Sequence, residues 1–320
     1  MKEELAGIAK TVDKRLEYYI RGDPVLFEPM RYLVRAGGKR IRPALTILTC
    51  EACGGEKEHA IDFGCSVEFV HNFTLMHDDV MDNDRTRRGQ PSVHVKFDVP
   101  SAINSGDGMF SVAFRCLAEA KVSPEKRADA FDVLSNAVLQ ISLGQAIDMA
   151  FEKKKDVTVR EYKDMISKKT GSLLEAAVGL GMIAAGKRYK GLEEYGKNLG
   201  MAFQVRDDFL DMVAKPAMLG KPVGSDIREG KKSIVVLHGL EKMKGGDRKK
   251  FMKYLGNRTL GKDEVKAAVE LLNKAGSLDY AINYTEGLVE SAKKSLKRLP
   301  GSESKELLIQ LADYVAKRQY

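Results

Sequence analysis

The chain has 320 residues, 43% apolar and 31% charged, with a formal charge of +8. That balance excludes a disordered or fibrous protein and describes a globular chain able to bury a sizeable core. No Trp, few Pro and abundant Ala, Leu, Lys and Glu favour helices, while the positive charge fits phosphates, nucleic acid or a membrane surface without choosing among them.

Apolar periodicity predicts helices over about 3–21, 25–36, 40–53, 58–81, 106–120, 125–152, 159–185, 191–213, 230–243, 262–274, 277–298 and 303–318. Strand alternation is scarce, and Ile234-Val235-Val236-Leu237 reads as buried helix. With no low-complexity linker and no solenoid period, one all-α domain over 1–320 is expected. The start, Met1-Lys2-Glu3-Glu4-Leu5, carries charges where a signal peptide needs an apolar core. The apolar stretch Ala176 to Ala185 is too short to span a bilayer. A cytoplasmic location without a transmembrane segment is the expectation.

Along the chain, Gly37-Gly38-Lys39-Arg40-Ile41-Arg42-Pro43 brings three cations to a helix start. It reads as an anion site on free backbone N–H groups or as an ordinary turn with solvated charges. Cys50 and Cys53 form a C-x-x-C, but no second Cys or His pair follows, so small buried thiols are expected.

The first acidic segment is Asp78-Asp79-Val80-Met81-Asp82, and its pattern returns in Asp207-Asp208-Phe209-Leu210-Asp211. On a helix the first and last carboxylates of each share a face one turn apart, where like charges repel. Buried among apolar residues without compensation they would be very costly. Magnesium, held by one or two carboxylates plus substrate phosphates, answers that cost. Two such walls suggest a cavity with a phosphorylated substrate bridged between them.

Arg87-Arg88-Gly89 follows Asp82 in a polar loop, and arginine suits bidentate phosphate contacts. Lys168-Lys169-Thr170-Gly171 interrupts an apolar helical segment; it reads as a surface pair when taken alone, or as a pair with one lysine facing inward. Gly181 to Lys187 imitates a nucleotide phosphate-binding loop, but Arg188 stands where Ser or Thr belongs and no strand precedes. Leu219 to Asp226, with its glycines and Pro222, forms a shaped loop able to carry Lys221 over a cavity mouth, followed by Lys231 and Lys232. The cations from Lys244 to Lys253 read as solvent-facing surface.

Taken together, GGKRIRP, HDDVMDND, RRG, GQAID, KKTG, QVRDDFLD and GKPVGSDIREGKK, in this order, resemble the trans-isoprenyl diphosphate synthases. The match runs from about Gly37 to Lys232. It implies an isoprenoid-synthase-type helical bundle around a central cavity, in a homodimer, with about three magnesium ions per site. By motif position, Asp78, Asp82 and Asp207 match metal ligands, Asp79 and Asp211 complete the metal-binding set, and Asp208 supports it. Gln145 and Asp148 match a polar pair supporting the metal shell. Lys39, Arg42, His71 and Arg88 match the isopentenyl diphosphate site. Arg87, Lys169, Thr170, Gln204, Lys221 and Lys231 match the allylic diphosphate site. The implied reaction ionises an allylic diphosphate, adds the isopentenyl double bond to the cation and loses a proton, with Lys169, Thr170, Gln204, Asp78 and Asp82 as the catalytic set. No side-chain base is required.

Chain length is a finer implication. Phe73 stands five residues before Asp78 with the smaller Thr74 beside it, a pattern similar to the geranylgeranyl-forming subtype. Helical angles alone put Phe73 about 140° around from Asp78, so a floor role rests on the resemblance, and plain core packing is the other reading. Farnesyl or longer-chain (C25 and above) synthesis is the alternative within the family. A class I terpene cyclase has no need of Lys39, Arg42 and Arg88. A regulatory partner tends to lose one acidic segment, and nucleic-acid binding lacks interleaved aromatics.

Overall fold

The computed structural model describes residues 1–154, 156–213 and 223–317. Helices dominate, as expected, and the β-structure among the described residues is one hairpin of two-residue strands, Thr86–Arg87 and Gln90–Pro91. The chain divides into two units. One is built from Met1–Val138, Leu173–Gly196 and Ser295–Leu311, the other from Leu139–Ser172, Lys197–Lys294 and Ala312–Tyr320. Among the described residues no helix is long and apolar enough to cross a membrane.

The first unit packs α1 (Lys2–Tyr19), α2 (Pro24–Arg35), α3 (Ile41–Ala52) and α4 (Lys57–Met81) with α5 (Val93–Lys96) and α6 (Val99–Glu119). Helix α3 is buried almost throughout, from Pro43 to Ala52 apart from Glu51. Helix α4 presents Phe63, Val67, Phe69, Val70 and Met76 to the core. Burying a side chain of this size contributes about 1.5–3 kcal/mol. Cys50, Cys53, Cys65 and Cys116 are free and buried. Burial pushes the Cys50 thiol up to about 12 and Cys53 to about 11, so the C-x-x-C is packing, as its isolation suggested.

Arg40 explains why one cation of the GGKRIRP turn is structural. It occupies the left-handed region (φ 47°) as the N-cap of α3. Its guanidinium, 2% exposed, donates to Glu68 on α4 (2.9 Å), Asp13 on α1 (2.7 Å) and the Val34 carbonyl (2.9 Å). One side chain thus ties three helices, with its charge answered by two carboxylates.

In the second unit, α7 (Pro124–Lys153) contributes its C-terminal half, followed by α8 (Val159–Ile166), a π turn (Ser167–Gly171) and α10 (Glu193–Val213) from Lys197 onward, while α9 (Ser172–Ala185) belongs to the first unit from Leu173. Thr158 and Glu161 cap α8 reciprocally. Beyond the acidic end of α10 come α11 (Ser225–Glu229), α12 (Ile234–Lys242), α13 (Gly245–Tyr254), α14 (Lys262–Lys274) and α15 (Ser277–Ser295), and α16 (Glu303–Lys317) closes the described chain.

Four differences from the periodicity have physical causes. Helix α6 starts at Val99, not near 106, because Asp98 accepts from the Ser101 N–H (2.6 Å) and Pro100 sits in the first turn. The segment 159–185 is not continuous: the five-residue π turn interrupts it. The predicted helix 230–243 begins only at Ile234, because Gly230 turns left-handed (φ 73°) and closes the short α11 before it. Finally, the basic run expected as plain surface forms α13, which buries Phe251 while its lysines face solvent.

Removing one partner of a buried pair leaves the other charge uncompensated, a loss of about 3–5 kcal/mol. Arg40→Ala is expected to lower the urea-unfolding free energy by that order, whereas the double replacement Arg40→Met with Glu68→Leu loses much less. Equal losses in the two would count against this account.

Candidate functional site

The first acidic segment occupies the last turn of α4. Asp78 is half-buried and Asp82 exposed, with the Asp82 N–H returning to the Asp78 carbonyl (2.8 Å). Asp79 points inward at 1% exposure. The hairpin explains how it is met: Arg88 (φ 53°) and Gly89 (φ 75°) form its two-residue tip, both left-handed, which folds Arg87 back. Arg87 donates Nε (2.9 Å) and Nη2 to Asp79 Oδ1 and reaches Asp84 (3.4 Å). Asp79 Oδ2 is buried with no partner among the described residues. Burial raises the Asp79 carboxyl despite Arg87.

His71 lies two turns before the acidic end. Burial first, then the charges of Arg42, Arg88, Arg87 and Arg40, hold its imidazole well below its usual value, so it is neutral at physiological pH. Arg88 donates to the Leu33 carbonyl (3.3 Å) and Asn72 Oδ1 (3.5 Å). Arg42, His71 and Arg88, singled out in the sequence, therefore form one electropositive neighbourhood, with Lys39 exposed on the adjoining turn. A left-handed non-glycine residue such as Arg88 costs of order 1 kcal/mol, and such strain clusters at functional sites.

Phe73 is half-buried and begins a row of aromatics. Its ring lies 5.5 Å edge-on from Phe110, Phe110 lies 5.1 Å from Phe114, and Phe114 lies 5.5 Å from Phe131. Thr74 turns its hydroxyl to the His71 carbonyl (2.9 Å).

The second acidic segment ends α10, beside a cavity of about 140 Å³ within the second unit, lined by Asp148, Lys169, Thr170, Gln204, Asp208 and Lys231 among others. Close backbone packing builds it. A Cβ on Gly144 would stand 2.3 Å from the Lys169 amide nitrogen, and one on Gly200 would stand 2.9 Å from the Gly171 Cα. With glycine at both positions the π turn lies against α7 and α10, and Lys169 donates to Asp148, one turn beyond Gly144 (2.6 Å). A chain of hydrogen bonds follows: Thr170 donates to Gln204 Oε1 (3.3 Å), and Gln204 Nε2 donates to Asp208 Oδ1 (3.1 Å). Asp208 Oδ2 accepts from the Tyr162 hydroxyl and the Ile234 N–H (3.1 Å). Burial pushes the Asp208 carboxyl up to about 6. Asp211 accepts from Ser225 and from the Asp226 N–H (3.1 Å), holding the start of α11. Lys231 pairs with Glu229 (3.1 Å).

Lys169 is the inward member of its pair, while Lys168 pairs with Asp164 on the exposed side. Lys231 and Lys232 both line the cavity. Gln145 is buried, its Oε1 without a partner among the described residues. Lys221 lies outside the described residues. Tyr162 and Asp226 also line the cavity, and neither was singled out by motif or periodicity. Asp226 stood inside a motif valued for its lysines, and nothing in a lone Tyr on an amphipathic helix distinguishes it from core. The phosphate-loop imitation at 181–187 is the end of α9 and a turn at Gly186 (φ 70°), and among the described residues it is a helix, not a strand, that leads into it.

The acidic segments divide their carboxylates alike. Asp79, Asp208 and Asp211 are the most buried, at 1%, 5% and 8% exposure, and the fold's donors converge on them. Asp78, Asp82 and Asp207 are more open. Both segments sit at the negative end of a helix dipole, where acidic side chains are unfavourable by about 0.3–1 kcal/mol each and cations are favoured. Among the described residues no three of His, Cys, Asp or Glu form a ready-made cage. An open carboxylate pair is what magnesium takes when substrate phosphates complete its shell, and the orphaned Asp79 Oδ2 adds unmet negative charge beside it. The residues fit a divalent cation.

The sequence model of the polyprenyl synthetase family matches residues 23–272. A geranylgeranyl diphosphate synthase of Methanosarcina mazei is 43% identical over 298 residues, covering 92% of this chain and 90% of that one. A geranylfarnesyl diphosphate synthase of Aeropyrum pernix is 41% identical over 297 residues, covering 90% and 92%. The crystal structure of geranylgeranyl pyrophosphate synthetase from Pyrococcus horikoshii superposes with a TM-score of 0.93 at 42% identity, covering 99% of each chain.

Two outcomes follow from this geometry. Gly144→Ala forces Lys169 from Asp148 and is expected to cost about 1–3 kcal/mol of stability by overpacking, read by urea unfolding. Asp208 binds its proton more tightly folded than unfolded, so its charge costs stability as pH rises through about 6. In metal-free protein the stability difference between Asp208→Asn and the unaltered chain should therefore move in the variant's favour between about pH 4 and pH 6. A difference that stays flat across that window speaks against the buried charge.

Proposed function

The chain belongs to the polyprenyl synthetase family, and on that footing we propose that it is a trans-prenyltransferase making all-trans geranylgeranyl diphosphate. It condenses isopentenyl diphosphate with dimethylallyl, geranyl and farnesyl diphosphates, head to tail. The observation that carries the reading is the second-unit cavity. There Lys169, Thr170, Gln204 and Lys231 stand together beside an acidic helix end, as the allylic site requires.

The chain is read as a single 1–320 domain, a reading supported by a family match that runs through both units. Polyprenyl synthetases use a divalent metal; we take it to be magnesium, held by Asp78, Asp82 and Asp207, where it neutralises charge on the leaving diphosphate. Lys169, Lys231, Lys221 and Arg87 bind the allylic diphosphate, and Lys39, Arg42 and Arg88 bind that of isopentenyl diphosphate. Neutral His71 adds a hydrogen bond there without a further cation. The Thr170 hydroxyl spends its proton on Gln204, which leaves its lone pairs for the allylic cation formed when the C–O bond breaks. Fixed dipoles of this kind stabilise developing charge without reorganisation. After the new C–C bond forms, the proton leaves to the departing diphosphate. Exposed Ile103, Phe110 and Phe131 support pairing with a second copy of the chain, and a cytoplasmic setting suits the reaction.

A second reading, a product one isoprene unit longer, is favoured by the geranylfarnesyl-forming relative. Phe73 decides between them in our reading: its ring, braced by Phe110, closes the elongation space. Chromatography of products from isopentenyl diphosphate with each allylic primer should give a C20 diphosphate, abolished by a chelator and restored by magnesium. Phe73→Ala should shift the product longer; an unchanged distribution would remove the floor role.

A further inference from the structure

We infer that Tyr162 is a positioning residue for prenyl transfer: through Asp208 and Gln204 it fixes the direction in which the Thr170 hydroxyl points. The inference rests on the reading above and adds a group that reading does not use.

Tyr162 is 2% exposed and sits on α8, one residue from Lys163, whose ammonium lies 3.9 Å from the Tyr284 ring centroid. Tyr284 stacks in turn beside Tyr280, which stacks on His238 at 4.1 Å. Helix α8 is therefore gripped on both sides, by this aromatic ladder and by the Tyr162–Asp208 hydrogen bond.

Direction enters through the amide of Gln204. A glutamine side chain can present either its carbonyl or its NH₂ to a neighbour, and only its hydrogen-bond partners decide which. Here Nε2 donates to Asp208, so Oε1 faces Thr170 and accepts its proton. Were the amide reversed, Thr170 would accept from the NH₂ and turn its own proton toward the cavity, where a cation is to develop. An ionised carboxylate can only accept, so Asp208 enforces the productive arrangement. Asp208 itself is buried at 5% exposure and is held by the Tyr162 hydroxyl and the Ile234 N–H on its other oxygen. Tyr162 is the side-chain donor that both offsets that burial and sets the carboxylate plane. Without its hydroxyl, Asp208 keeps one donor on that oxygen and gains freedom to rotate.

The test is a kinetic cycle with geranyl diphosphate, isopentenyl diphosphate and magnesium. Tyr162→Phe and Thr170→Val are each expected to lower kcat about 10- to 100-fold, the range for losing an outer partner of a reactive group, with KM for isopentenyl diphosphate unchanged. Because both act through one chain of hydrogen bonds, the double variant should fall no further than the lower single variant. A purely structural role for Tyr162 would instead make the losses multiply, and that result, or Tyr162→Phe with unaltered kcat, overturns the inference. Should Tyr162→Phe fail to fold, Asp208→Asn takes its place in the same cycle. An unaltered enzyme that forms no prenyl diphosphate would sink the functional reading instead, and the two failures are distinguishable.

Discussion

Negative charge at the negative pole of a helix is the constraint to which the rest of the molecule answers. Twice the chain ends a long amphipathic helix with carboxylates, where the dipole already disfavours them. In each case the deepest carboxylates are answered from within: Asp79 by an arginine that a hairpin folds back, Asp208 and Asp211 by a tyrosine, a serine and backbone N–H groups. The more exposed ones, Asp78, Asp82 and Asp207, stand where an entering cation can reach them. The protein's own donors thus prepare the acidic ends for a cation without filling the place of one.

The basic side is arranged by the same logic in reverse. Arg40 is consumed by the fold, its charge matched by Glu68 and Asp13, while Arg42 and Arg88 crowd a histidine that burial keeps neutral. Clustered guanidinium groups repel one another, and an anion is the natural remedy. Substrate diphosphate and metal are in this sense mutual counterions, each relieving a repulsion that the apo protein tolerates.

Much of this could be read from residue order. The helices on strongly periodic segments appeared where expected, Ile234 to Leu237 proved to be buried helix, and Lys169 proved to be the inward lysine. What escaped had local causes that periodicity does not see. Polar Ser101, Asn104 and Ser105 with Gly106 disguised the first turns of α6, although Asp98 and Pro100 announced them. The Lys244 to Lys253 run hid one buried aromatic among its cations. Tyr162 and Asp226 gained meaning from partners 46 and 15 residues away, a proximity that only the fold creates.

The π turn at Ser167–Gly171 carries a last implication, for how this segment can diverge. A wide turn absorbs one residue more than the α-helix needs while keeping the helix on either side of it in phase. Deleting a single residue there would restore regular winding and leave the flanking faces nearly in phase, but it would re-aim the residues of the turn itself, Lys169 and Thr170 among them. Substitutions along α8 and α9 can accumulate, but insertions and deletions cannot, since Lys169 reaches Asp148 by count as well as by chemistry. Length, in this stretch, is under tighter constraint than spelling.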